Sequence, residues 1–195
     1  ERHLQTALDL QPDEQTNRGW RARLYTDWSL VAHRRQQPER AQTLAQQALA
    51  LAESSGDRRA LAQAHNLLGL LHRHQQAPTP ALHHLERSLL LAKELNDPVA
   101  QVAALNNLAL VLRAQGDLAQ AQALTQSALT LCVTLGDRHR EAALHNNLAD
   151  LLRHTGQRAA AQDHVKAAVT LLAAIGEPTA EPGAWQREIW RLNEW

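Results

Sequence analysis

Gly56, Asn96, Gly136 and Gly176 stand forty residues apart, and with these four in one column the rest of the chain falls into register without a gap. Asp57, Asp97, Asp137 and Glu177 follow them directly. Further columns read Asn66, Asn106, Asn146; Leu68, Leu108, Leu148; Arg73, Arg113, Arg153; Ala41, Ala81, Ala121, Ala161; and Leu51, Leu91, Leu131, Leu171. Agreement at so many positions exceeds what an Ala- and Leu-rich composition supplies. A repeat of roughly 20 to 50 residues constrains a chain to a stacked array, in which each unit buries its apolar face only against its neighbours.

Start and stop signals place two helices in each unit. Gly or Asn suits the left-handed residue that ends one helix, and the acidic residue after it is a good N-cap for the next. In the central unit this predicts a first helix over about 98–114, with Ala104, Leu105, Leu108 and Leu112 at helical spacing. Gln115 to Asp117 form a turn, and a second helix over about 118–134 turns Ala121, Leu124, Ala128 and Leu131 inward. In the preceding unit the turn reads Gln-Gln-Ala-Pro-Thr-Pro, where Thr79 is expected to cap and Pro80 to take the first helical position. The expected fold is an all-α solenoid of antiparallel helix hairpins, with no strands.

Three stretches carry a pattern that resembles tetratricopeptide repeats of the longer, 40-residue kind. They are His65, Leu68-Gly69, His72, Ala81, Leu85, Ser88; then Leu105, Leu108-Ala109, Leu112, Ala121, Thr125, Ala128; then His145, Leu148-Ala149, Leu152, Ala161, Val165, Ala168. His and Leu replace the usual aromatics, and the terminal Pro of the 34-residue form is absent. The run Leu105-Asn106-Asn107-Leu108-Ala109 looks like the repeats of kinesin light chain, of polarity adaptors with GoLoco motifs, and of bacterial multidomain signalling ATPases. The resemblance covers about residues 16–195. The register gives repeats at 16–55, 56–95, 96–135 and 136–175, all in one array.

The ends read differently. Glu1 to Leu10 parallels the second helix of a repeat, so residues 1–15 are expected to be the remnant of a preceding unit, and the natural protein to continue N-terminally. Residues 16–55 are the most degenerate repeat, with Trp20, Tyr25 and Trp28 in the first helix as expected core or cap filling. Beyond Pro178, Pro182 and Gly183, residues 176–195 are expected to end in a capping helix whose Trp185, Ile189 and Leu192 form one stripe. Trp190 and Trp195 lie about 140° and about 80° off that stripe. They are the expected association surface, through which copies of the chain form a homo-oligomer or the helix rests against parent sequence beyond Trp195.

A polar ladder on the first helices is the constellation that points to function. Asn66 with Arg73, Asn106 with Arg113 and Asn146 with Arg153 are each two turns apart, and therefore on one face. Asn can bond an extended backbone in both directions, and Arg can grip a carboxylate with two parallel bonds. Leu70 and Leu110 are expected to give an apolar floor, a row that Asp150 breaks. The resemblance implies that this face is concave and holds a peptide. The competing reading is that Asn and Arg only cap helices, pair with neighbouring acids and keep the array soluble.

Composition narrows the remaining classes. Twenty basic and twenty acidic residues balance, so no global field draws in nucleic acid or an anionic membrane. No apolar run is long enough to span a bilayer. A single cysteine and the lack of a signal peptide argue for the cytoplasm. His72 with His74, and His83 with His84, are too close in sequence to converge on a metal, and no Cys-x2-Cys or His-Glu-x2-His spacing accompanies them. Cys132 shares its column with Ala52, Ala92 and Leu172 and reads as a buried, inert thiol. No cofactor and no enzymatic activity are expected. The sequence reads as a protein- or peptide-binding scaffold, the sensor or adaptor part of a signalling protein. A self-association module and a regulator docked in cis on an attached enzymatic domain are the alternatives.

Overall fold

The computed structural model describes residues 18–175, and within them every regular element is an α-helix. In chain order these are α1 (Arg18–Arg34), α2 (Pro38–Ser55), α3 (Arg58–His74), α4 (Pro78–Glu94), α5 (Pro98–Gln115), α6 (Leu118–Leu135), α7 (Arg138–His154) and α8 (Arg158–Ala174). The expected N-terminal remnant helix and the closing helix with Trp190 and Trp195 lie outside the described residues.

The helix boundaries follow from the repeated signals. Gly56, Asn96 and Gly136 all have positive φ, at 68°, 50° and 68°. The acid after each one caps the next helix. Asp57 accepts from the Arg59 and Ala60 amides, Asp97 from Ala100 and Asp137 from Arg140. A cap of this kind is worth about 1 kcal/mol. Two of these acids also face an arginine of the preceding first helix: Asp57 faces Arg23 at 3.8 Å, and Asp97 faces Arg59 at 3.4 Å.

The turns inside the hairpins use a left-handed residue as well, at Gln36, Gln76, Gly116 and Gly156. This corrects the expectation for the second repeat. With Gln76 left-handed, the helix starts one residue after Ala77, so Pro78 rather than Pro80 occupies the first helical position and Thr79 does not cap. Proline fits there because its missing N–H would have had no helical partner.

The chain divides into two compact units between Asn107 and Leu108, within α5. In the first unit α1 packs on α2 and α3 on α4, while α3 also rests on α1 and α2. Its largest core cluster joins Trp28, Ala32, Ala41, Leu44, Ala45, Leu67, Leu68, Leu70 and Leu71. Tyr25 stacks on Trp28 with ring centroids 6.2 Å apart, whereas Trp20 stays substantially exposed and is not core filling. Two buried hydroxyls tie helices together within hairpins: Ser29 donates to the Ala41 carbonyl and Ser88 to the Ala62 carbonyl. In the second unit α7 packs on α6 and α8, and Ala109, Ala121 and Leu151 form a core cluster. Alanines at these contacts let helix backbones approach closely.

Candidate functional site

In the first unit the ladder is built by α3 and the start of α5. Asn66 is half-buried, and its Oδ1 accepts a 3.1 Å hydrogen bond from Asn107 Nδ2. Arg73 lies two turns further on, with Nη2 2.9 Å from the His74 Nε2. Asn106, the expected counterpart of Asn66, is 0% exposed. Asn107 links α5 to the first-helix ladder through this bond. The doubled Asn-Asn at 106–107, repeated at 146–147, was the available signal, but the register drew attention to only one of each pair.

The second unit gathers the charged members. Asp150 on α7 accepts from the Arg113 guanidinium of α5 at 3.3 Å and also pairs with Arg153, one turn along its own helix. The Asp150 side chain is only 16% exposed, against 29% for Arg113 and 66% for Arg153. Two guanidinium groups from successive first helices therefore converge on one sheltered carboxylate. Asn146 is half-buried on α7, and its neighbour Asn147 is buried.

Leu70 and Leu110 do not form an apolar floor. They are 2% and 9% exposed, so both are core residues. Helical spacing places them on the side of the Asn residues, but first helices are covered on several sides. Leu67, Leu68, Leu70 and Leu71 are all buried on α3, and Leu70 belongs to the core that α3 shares with α1 and α2.

Two histidine pairs were not anticipated. His65 Nδ1 lies 2.9 Å from His84 Nδ1, bridging α3 and α4, and His145 Nδ1 lies 2.7 Å from His164 Nδ1, bridging α7 and α8. His72 stacks on His84 with centroids 5.5 Å apart, so the two meet across the hairpin. Burial, with His84, Arg87 and His83 nearby, lowers the His65 pKa to about 4. Burial also lowers His84, reinforced by His72 and His83, and lowers His145, reinforced by His164. His164 is lowered by burial against the opposing pull of Asp163. The signal was a period of two repeats, since His145 and His164 each follow their counterparts by eighty residues.

Among the described residues no group of three or more His, Cys, Asp or Glu side chains is arranged to hold a metal ion. Cys132 is fully buried, and burial with Asp137 nearby pushes its thiol up to about 11. Its Sγ–H donates to the Asp137 carbonyl at 3.3 Å. No helix among the described residues is long and apolar enough to cross a membrane.

Consecutive helix hairpins, capped alike at each forty-residue step and packed through small residues, define an all-α solenoid of repeat units. The family's sequence profile matches residues 20–94 and 101–174, and the chain belongs to the tetratricopeptide repeat family. Comparison with curated proteins gives no match. Among solved structures the chain is similar to BtubC (BKLC) from P. vanneervenii, with a TM-score of 0.71 and 18% identity over 83% of this chain and 66% of that one. It is also similar to aspartyl phosphate phosphatase F from Bacillus subtilis, with a TM-score of 0.76 and 15% identity over 90% of this chain and 45% of that one. The chain thus spans just under two thirds of the first structure and under half of the second. At these identities the likeness is one of fold. Tetratricopeptide proteins are generally non-enzymatic scaffolds for protein partners.

Proposed function

We propose that the ladder face of each unit binds extended, acidic peptide segments, and that the chain serves as a sensor or adaptor module in a larger signalling protein. The observation that supports this most is the convergence of Arg113 and Arg153 on one carboxylate, because the same geometry suits a carboxylate from a ligand. In the first unit Asn66 spends its carbonyl on Asn107, so its amide hydrogens are the end that serves a peptide carbonyl. Arg73 supplies the charge two turns away. The contact set is accordingly Asn66 and Arg73 in one unit, and Arg113, Asn146, Asp150 and Arg153 in the other. Buried Asn106, Leu70 and Leu110 hold the helices in place.

Selection from a random peptide library, followed by affinity measurement on the chain and on its Arg73→Ala, Arg113→Ala, Arg153→Ala variant, tests this reading. Selected peptides should be rich in Asp and Glu. A charge-assisted hydrogen bond is worth about 1.5 to 3 kcal/mol, so the triple variant should bind them about tenfold or more weakly while staying folded, its melting temperature lowered only by the lost Asp150 pairs. Neutral or basic peptides, or acidic ones held equally well by the variant, would overturn it.

A further inference from the structure

We propose that the His65–His84 and His145–His164 pairs are proton-triggered latches, each closing its hairpin when neutral and releasing it when both rings are protonated. The geometry carries this. Each pair joins the first helix of a hairpin to the second, Nδ1 against Nδ1, at 2.9 and 2.7 Å. A hydrogen bond between two such atoms requires complementary tautomers, one ring with its proton on Nδ1 and the other with its proton on Nε2. One added proton can be held, because the donor ring becomes imidazolium and its Nδ1–H still points at the other Nδ1. The second proton cannot. Both facing atoms then carry hydrogen, and two like charges stand about 3 Å apart at a half-buried seam between helices, where repulsion is less screened than in bulk water.

The repeat supplies its own comparison. The positions equivalent to His65 and His84 in the intervening repeat are Leu105 and Leu124. An apolar pair therefore serves the array at these sites, and imidazole adds a hydrogen bond across the hairpin and the ability to take up protons. The first pair lies one turn from the close contact of Gly69 with Leu85, so it holds the hairpin beside a close approach of α3 and α4.

The surroundings differ between the two latches. The groups acting on His65 are His84, Arg87 and His83, all from α4, and those acting on His84 are His72 from α3 and the adjacent His83. These all oppose protonation. His145 feels His164, and His164 feels Asp163, which favours protonation. Opening frees all four rings to ionise at the same ordinary value, so the α3–α4 latch, whose rings are held further below it, should lose stability more steeply as pH falls, and the α7–α8 latch less steeply.

A histidine kept neutral in the hairpin but free to ionise when the hairpin opens contributes stability that is complete above about pH 6.5 and is lost as pH falls toward its folded value. The opening constant of each hairpin should rise about tenfold per pH unit for each proton taken up. Hydrogen-exchange protection factors between pH 7 and 4.5 test this on the full chain and on a variant with Leu at all four positions. The parent should lose protection in all four helices, by about tenfold per unit or more in α3 and α4 and less steeply in α7 and α8, and the variant should lose far less. Equal pH dependence in the two proteins would overturn the proposal. The imidazole nitrogen resonances of the parent give a reading that needs no variant. Complementary tautomers at neutral pH and titration below 6.5 support the latches; four rings titrating independently near 6.5 refute them.

Discussion

Gly69 of α3 lies so close to Leu85 of α4 that a Cβ placed on it would sit 2.4 Å from the leucine Cγ and 2.6 Å from Cδ2. In register, these two positions trade volume from repeat to repeat: Ser29 with Ala45, Gly69 with Leu85, Ala109 with Thr125, Ala149 with Val165. Gly69→Ala should therefore destabilise, since overpacking costs about 1 to 3 kcal/mol and outweighs the roughly 1 kcal/mol that Ala gains over Gly in a helix. Adding Leu85→Thr, which reproduces the Ala109–Thr125 combination, should restore most of the loss. Denaturant unfolding of both singles and the double measures the coupling, and additive effects would show that the two sites do not compete for space.

How much of this was legible depends on whether a feature repeats within one helix or only across two. Gly56, Asn96, Gly136 and the capping acids after them announce themselves, because few residues tolerate a left-handed backbone and few cap well. Gln36 and Gln76 do not, since glutamine carries no such preference and only their alignment with Gly116 and Gly156 betrays the conformation. Leu70 and Leu110 were misplaced for a related reason: helical spacing tells which side a residue is on, not what covers that side. The Asn66–Asn107 and His65–His84 contacts are pairwise meetings between helices, and one period along the chain does not encode them.

The left-handed glutamines offer a second prediction. Gln36 and Gln76 have φ of 59° and 56°, a conformation that costs an L residue roughly 1 to 2 kcal/mol and glycine little. Gln76→Gly should raise stability by about 0.5 to 1 kcal/mol, after the extra chain entropy that glycine gives the unfolded state. Gly116→Gln should lower it by a similar amount, though space is open around that position. Thermal melts of the two variants should move in opposite directions.

Cys132 gives a third. Its thiol is pushed from 9.0 up to about 11, so the folded state resists the thiolate that the unfolded chain forms readily. The stability tied to this group is complete below pH 9 and falls as pH rises from 9 toward 11. At pH 8 an alkylating reagent should modify Cys132 only as fast as the hairpin opens, and denaturant should accelerate labelling by orders of magnitude. Labelling of the native chain at the rate of a free thiol would contradict the burial. Cys132→Ala, the residue found at Ala52 and Ala92, should flatten the stability profile above pH 9.

The last prediction concerns Asp150, which stands where the other repeats have Leu70 and Leu110 and which neutralises Arg113 and Arg153 together. Asp150→Asn keeps the shape and removes the charge. The pair with Arg153, two thirds exposed, should matter little, at under about 1 kcal/mol. The pair with Arg113 is more sheltered, so the net loss of stability should be about 1 to 2 kcal/mol. It should shrink in an Arg113→Ala background, where the stronger partner is already gone. Binding should move the other way. With two guanidinium groups no longer satisfied internally, the acidic peptides selected on the parent chain should bind Asp150→Asn more tightly, and the gain should fall with added salt. A variant both less stable and tighter binding indicates that Asp150 competes with the ligand for the arginines. A variant that loses both stability and affinity would mean instead that the carboxylate positions Arg113 and Arg153 for the ligand.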